Sequence, residues 1–343
     1  MRLLHISDLH IGRSLTDYDL LEDQRYILNS IIDIALERKI DALLIAGDVY
    51  DKAVPSEGAV KLLDEFLNRL KNNHIKTFII GGNHDSDERL NFGSSLFSDS
   101  DIYIVSKYNG EFTSYELYDE YGKINVYMLP FVKASTVRHY HEDKDIKTYE
   151  DAVRVIIDKA DIDEANRNVI LSHQYVAGRD NPTLSGSESV KTHHVGNVEV
   201  IGANVFNAFD YVALGHIHSP QRVMREEVRY SGSPLKYSLS EVNDDKSMVL
   251  ITMKDKGDVS LEFIPLKPLR QMRHIKGELK ELIANVDEET VDDYIYVTLT
   301  DEDMIDDAMG VIRNYYNRPV KLDYQNSRTG DVTFDEVEIK TDK

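Results

Sequence analysis

The sequence predicts an α/β chain, a sheet covered by helices in a large domain followed by a smaller α/β companion. Three observations lead there. Apolar runs of strand length alternate with helical patterns from Met1 to about Leu266, the length of 343 residues exceeds the usual size of one domain, and the alternation restarts after Pro268.

Arg2 to Ile6, Ala42 to Ala46, Thr77 to Ile80, Val126 to Leu129, Val169 to Leu171 and Tyr211 to Leu214 read as buried strands. Between the first two, Leu21, Ile27, Leu28, Ile31, Ile34 and Ala35 keep helical spacing on one face, and a right-handed crossover is expected to follow. Ser56 caps a second predicted helix carrying Leu62, Leu63, Phe66, Leu67 and Leu70. Thr148 with Asp151 forms a capping box before Val153, Ile156 and Ile157. Ser247 to Met253 and Val259 to Pro265 flank the turn-rich Lys254-Asp255-Lys256-Gly257-Asp258, which predicts a hairpin at the edge of the large domain.

The expected division is therefore 1–267 for the large domain, 268–325 for the small one and 326–343 for an acidic tail or linker. Within the small domain the pattern reads strand (Met272 to Ile275), helix (Glu278 to Ala284), strand (Tyr294 to Leu299), helix (Met304 to Tyr316) and strand (Val320 to Tyr324). The tail is polar with little periodicity, and no internal repeat is visible.

Composition narrows the chemistry. No apolar run approaches the ~20 residues of a membrane-spanning helix. With no cysteine there are neither disulfides nor thiolate ligands, so a metal must be held by His, Asp, Glu, Asn or backbone oxygen, and an intracellular compartment is expected. The formal charge of −21, from 40 Lys plus Arg against 61 Asp plus Glu, argues against simple phosphate-backbone binding unless basic groups are locally clustered or a partner supplies them. Arg13, Lys52, Arg89 and Arg179 are the basic residues closest to the motifs.

Those motifs sit where predicted strands end. Asp8-Leu9-His10 follows the first strand, and a period of two puts Asp8 and His10 on one side of an extended segment. Ala46-Gly47-Asp48 ends the second strand and Gly81-Gly82-Asn83-His84-Asp85 the third, in the position where open sheets expose their ligand crevice. Two later strands finish in Ser172-His173 and in Gly215-His216-Ile217-His218. Singly, each has a bland reading: a turn Asp, a cap, a core or surface His. Five strand ends delivering Asp, Asn and His in one chain predict a two-metal centre. Such a centre needs one carboxylate shared between two ions about 3.5–4 Å apart, and Asp48 is the natural bridge. Asp8, His10 and His218 are assigned to one ion and Asn83, His173 and His216 to the other, mixed nitrogen and oxygen shells that suit Mn²⁺ or another first-row ion. Such ions would activate water and clamp phosphodiester oxygens. His84, not needed to complete either shell, is the candidate for orienting the phosphate and stabilising or protonating the leaving oxygen, with a ligand role as the alternative. Asp51 and Asp85 are candidates for holding histidines in the productive tautomer, with a helix-start or turn role as the alternative for each.

The ordered set Asp8-x-His10, Gly47-Asp48, Gly82-Asn83-His84-Asp85, His173 and Gly215-His216-x-His218 resembles the calcineurin-like metallophosphoesterase superfamily. Within it, Leu4-His5-Ile6-Ser7-Asp8-Leu9-His10-Ile11-Gly12 and Tyr230-Ser231-Gly232-Ser233-Pro234-Leu235 are similar to the SbcD-like family, bacterial counterparts of the Mre11 nuclease, and the similarity runs over nearly the whole chain. The resemblance implies a β-sandwich phosphoesterase domain flanked by helices, then a small capping domain. It implies an Mn²⁺-dependent DNA nuclease, exonuclease on duplex ends and endonuclease on single strands or hairpins, serving repair and recombination in the cytoplasm at the nucleoid. It also implies a homodimer joined to an SbcC-like coiled-coil ATPase through a segment beyond the acidic tail. The Ser56 to Asn73 helix is the expected dimer surface. Alternatives from the residues alone are a phosphatase or small-molecule phosphodiesterase of the same superfamily, or a DNA-end scaffold that binds without cutting.

Overall fold

The computed structural model describes residues 1–92, 94–188 and 199–327. Two six-stranded sheets lie face to face. The first runs Val259–Pro265, Ser247–Met253, Arg2–Ile6, Ala42–Ala46, Lys76–Ile80, Ile102–Val105; the second runs Gln221–Val223, Arg225–Tyr230, Tyr211–Gly215, Arg167–His173, Gly122–Leu129, Ser114–Asp119. Arg2–Ile6, Ala42–Ala46 and Lys76–Ile80 are parallel neighbours, as are Tyr211–Gly215, Arg167–His173 and Gly122–Leu129, so these strands finish at the same end of their sheets.

Strand alternation builds the layers. Leu3, Ala42, Leu44 and Phe78 from the first sheet meet Val126, Val169, Leu171 and Tyr211 from the second in the core between them. The intervening Leu4, Ile6, Leu43 and Ile45 face outward under the helices Leu21–Glu37 and Glu57–Asn72. Ile170, Val212 and Leu214 do the same on the other side beneath Tyr149–Lys159. The result is the helix–sheet–sheet–helix sandwich that the resemblance implies, because strands buried on both faces read as continuous apolar runs.

The predicted caps are present: Ser56 Oγ accepts from the Ala59 amide at 3.2 Å, and Thr148 and Asp151 form the reciprocal box. The hairpin also forms, with Val259–Pro265 as the sheet edge. One expectation is corrected. Leu62, Phe66 and Leu70 are at most 2% exposed and pack on the first sheet, so the apolar stripe expected to meet a second copy belongs to the molecule's own core.

In the C-terminal part, Met272–Gly277, Tyr294–Leu299 and Arg318–Tyr324 form a separate three-stranded parallel sheet with helices Leu279–Ala284 and Ala308–Arg313. The second helix is shorter than the predicted Met304 to Tyr316. Asp307, at φ 50°, caps the Gly310 amide and starts the helix there, leaving the acid-rich stretch before it as turns. This unit docks on the large domain where Arg270 reaches buried Asp23 at 2.8 Å and Tyr294 Oη donates to the same carboxylate at 2.9 Å. Most of the expected acidic tail lies outside the described residues. Among the described residues no helix is long and apolar enough to cross a membrane.

Candidate metal centre

The seven predicted ligands converge at the finishing ends of the two sheets. Tight backbone turns make this possible. Asp8, His10, Asp48 and His216 all have positive φ, at 54°, 42°, 48° and 96°, a region that costs a non-glycine residue energy and is concentrated at functional sites. Parallel loops are stitched together by their amides: Asp8 N–H donates to Gly47 O and His10 N–H to Asp48 O, each at 3.0 Å. Gly47 sits at φ 90° with no room for a side chain, since a Cβ there would lie 2.3 Å from His173 Nδ1.

Asp48 stands between the two groups. Its Oδ2 is 3.6 Å from His10 Nε2 and 3.3 Å from His173 Nε2, while Oδ1 accepts the His84 amide at 2.9 Å. On one side His10 Nε2 and His218 Nε2 face each other at 3.0 Å, with Asp8 Oδ1 3.9 Å from His218 Nε2. On the other, Asn83 Oδ1 lies 3.1 Å from His173 Nε2 and 2.8 Å from His216 Nδ1. Asp8 is anchored by Ser7 Oγ at 2.5 Å and by the His216 amide at 3.0 Å.

This donor set fits divalent cations. Asp8 and Asp48 are at most 2% exposed and share one pocket. Burial, aided by the Asp48 charge, pushes the Asp8 carboxyl up to about 7. Asp48 is held well below the usual carboxylate range against its own burial by the His173, His10 and His84 rings. Burial lowers His10 and His216 to about 3 and drives His218 well below the usual imidazole range, so these rings are neutral, the form that ligates metal. His173 differs: against its burial, the Asp48 carboxylate holds its ring up to about 9, so without a cation it carries positive charge itself. The donor set still suits cations, and three sets of side chains have ligand atoms close enough to share an ion: Asp8, His10 and His218; His10, Asp48 and His84; Asp8, Asp48 and His173.

The middle set places His84 nearer to a ligand role than the sequence implied. Its Nδ1 donates to the Asp51 carbonyl at 2.8 Å, and its ring packs edge-on against His10 at 4.9 Å. Of the outer candidates, the Asp51 carboxylate approaches His10 Nδ1 at 3.6 Å and pairs with Arg13 at 3.1 Å. Asp85 takes the turn role. Its carboxylate accepts the amides of Val49, Tyr50 and Gly82 at 3.1, 2.8 and 2.9 Å, tying two metal-site loops together without touching a histidine. Of the basic residues, Arg13 is committed to Asp51 and Tyr237, while Lys52, Arg89 and Arg179 are exposed.

The sequence reading overlooked an open cavity of about 320 Å³ beside His216 and Asn83, walled by Phe131, Tyr149 and Tyr175 with Lys133 at its rim and Gln174 at its base. Phe131 stacks on His216 with ring centroids 6.3 Å apart. Gln174 Oε1 is buried without a hydrogen-bond partner, because its amide nitrogen is turned to Val132 O at 3.2 Å. The signal available was the aromatic content of Pro130-Phe131-Val132-Lys133 directly after a buried strand.

The chain belongs to the calcineurin-like phosphoesterase family, whose model matches residues 1–220. Residues 268–340 match a second model, the SbcD C-terminal domain, described as a type 5 capsule protein repressor C-terminal domain. A metallophosphoesterase domain followed by this domain makes the chain SbcD-like. Similar solved structures include the calcineurin-like phosphoesterase YfkN from Bacillus subtilis, 14% identical over 78% of this chain and 90% of that one with a TM-score of 0.39. A dimetal phosphatase from Danio rerio is 11% identical over 78% and 99%, TM-score 0.42. The phosphoesterase Yfce from E. coli is 14% identical over 78% and 100%, TM-score 0.32.

Proposed function

We propose that the protein is a Mn²⁺-dependent DNA nuclease, exonucleolytic on duplex ends and endonucleolytic on single strands and hairpins, acting as a homodimer with an SbcC-like coiled-coil ATPase in DNA repair and recombination. The observation that carries the reading is the convergence of Asp8, His10, Asp48, His173 and His218 with ligand atoms close enough to share ions, and of Asn83 and His216 hydrogen-bonded beside His173, at an aromatic-walled cavity in an SbcD-like chain. A complete set speaks against a scaffold that only binds ends.

Asp8, His10 and His218 would hold one ion and Asn83, His173 and His216 the other, with Asp48 as the carboxylate available to both. Bound divalent ions supply Lewis acidity, polarising phosphoryl oxygens and making water nucleophilic near neutral pH. The chain's own residues do the rest. Asp48 is fixed through Oδ1 by the His84 amide, so Oδ2 is presented between His10 and His173. His84, whose Nδ1–H is given to the Asp51 carbonyl, would turn Nε2 toward the leaving oxygen and deliver a proton there from its imidazolium form. Phe131, Tyr149 and Tyr175 offer π-faces to a nucleobase, which every base can use regardless of sequence. With a net charge of −21 on this chain, most of the basic surface that engages DNA is assigned to the ATPase partner.

The test sets a plasmid, an end-labelled duplex and a chromogenic phosphodiester side by side with Mn²⁺. Cleavage of the DNA substrates is expected. Turnover of the small phosphodiester alone assigns the protein to small-molecule phosphoester hydrolysis, and no turnover of any substrate with both ions bound assigns it to end-binding.

A further inference from the structure

Behind His218 lies a buried polar chain that the reaction does not use directly. His218 Nδ1 and Ser187 Oγ are 2.5 Å apart, and Ser187 Oγ also reaches Glu241 Oε1. Glu241 is fully buried, and donors meet both its oxygens: the Tyr237 amide at Oε1 at 3.3 Å, and Lys246 Nζ at Oε2 at 2.5 Å. Lys246, itself 6% exposed, donates again to the His218 carbonyl at 2.9 Å. Glu188 Oε1 accepts the His218 amide at 3.0 Å, and the same oxygen takes Ser185 Oγ at 2.7 Å. The ring, amide and carbonyl of His218 are therefore all held from the side away from Asp8 and His10.

We infer that Ser187, Glu241 and Lys246 are positioning residues that fix His218 in its Nδ1–H tautomer and so aim the Nε2 lone pair at the metal pocket. The number of protons available fixes the polarity of the chain. A serine hydroxyl has one proton; of the three polar atoms around Ser187 Oγ, Ser185 Oγ is the most distant at 3.3 Å, so the proton goes to His218 or to Glu241. Lys246 Nζ stands 2.5 Å from Glu241 Oε2, and a carboxylate paired with an ammonium in this way can only accept. The Ser187 proton thus goes to Glu241, Ser187 Oγ is left as an acceptor toward His218, and the ring must carry its proton on Nδ1. The opposite polarity would need a protonated Glu241 beside Lys246. His173 reaches the same tautomer more simply, by donating Nδ1–H to the Ala46 carbonyl at 2.8 Å. A metal-binding histidine held by a carboxylate through its far nitrogen is a recurrent device, and here a serine is interposed to span the 4.0 Å between Nδ1 and Glu241.

The effect on affinity rests on His218 being a ligand, while the tautomer does not, so the experiment separates the two. Two-bond ¹H–¹⁵N NMR of the metal-free protein reads which nitrogen of each ring carries the proton, with His218 assigned by its loss in His218→Gln. Calorimetric titration with Mn²⁺ reads affinity. In Glu241→Gln, Lys246 claims the amide oxygen, so the amide nitrogen donates to Ser187, which turns its own proton on His218. The ring is expected to switch to Nε2–H and one of two Mn²⁺ sites to weaken by roughly 10- to 100-fold. Ser187→Ala, at a half-buried position, is expected to weaken the same site by about ten-fold with the melting temperature nearly unchanged. Parental Mn²⁺ affinity in both variants overturns the inference, as does His218 remaining Nδ1–H in Glu241→Gln. A switched ring with unchanged affinity overturns it too. Should Glu241→Gln fail to fold, Ser187→Ala decides. A parental protein that binds no Mn²⁺ defeats the metal reading, and the NMR result still decides the polarity of the chain.

Discussion

His10 and His218 come from the two different sheets, yet their Nε2 atoms face each other at 3.0 Å in a pocket where both side chains are almost wholly buried. Two neutral rings in this arrangement satisfy one hydrogen bond at best, and Asp8 and Asp48 add buried negative charge. Divalent ions relieve both costs, so Mn²⁺ is expected to raise the melting temperature by several degrees, since a ligand at about 100-fold excess over its Kd adds about 2.7 kcal/mol. Asp48→Ala is expected to lose both ions and this increment. Elemental analysis and a thermal melt with and without chelator check it, and two ions per chain in Asp48→Ala remove Asp48 from the bridging position.

Loss of the His84 ring is expected to separate chemistry from metal binding. His84→Gln is expected to lower DNA cleavage by about 10² to 10⁴-fold while metal content and DNA affinity stay. Single-turnover rates and metal content measured on one preparation decide this, because single-turnover kinetics isolate the chemical step. Loss of one ion instead makes His84 a ligand, the role its distance to His10 and Asp48 allows.

Tyr149 walls the cavity edge-on to Phe131, with centroids 6.2 Å apart. Base–aromatic stacking is worth about 1–3 kcal/mol, so Tyr149→Ala is expected to raise KM for single-stranded DNA about ten-fold and to change kcat far less. Steady-state kinetics on an oligonucleotide test this, and an unchanged KM takes the base out of the cavity.

Far from the centre, Arg167 is 2% exposed and donates to Asp119 Oδ1 at 2.5 Å, holding that carboxyl well below the usual range. A depressed carboxylate stabilises the fold above its unfolded pKa of about 4 and loses that contribution as pH falls toward the folded value. Asp119→Asn is expected to cost about 1 kcal/mol at pH 7, discounted because Asp119 is 17% exposed, and the gap from the parent should close below pH 4. Denaturant melts across pH 2–7 measure it, and a gap that stays constant with pH dissociates the effect from the Asp119 charge.

Much of this was legible along the chain. The central strands read as apolar runs because they are buried on both faces, and the candidate ligands stand out because each follows such a run at a strand end. Short or half-polar elements were not. Ile102–Val105, Ser114–Asp119 and Arg225–Tyr230 were missed because sheet neighbours, rather than their own alternation, make them strands.

Local sequence by itself determined the caps at Ser56 and Thr148, the ligand residue types and their order, since these depend on spacing within a few residues. Only the tertiary structure decided that the apolar stripe of Leu62, Phe66 and Leu70 turns inward, that Asp85 serves loop amides, and that His10 meets His218 across 208 residues of chain. It alone joined Ser187, Glu241 and Lys246 behind His218. The physical reason is shared. A side chain's type fixes what it can donate or accept, but which partner stands 3 Å away is set by how two sheets stack, and that packing is a property of the whole chain.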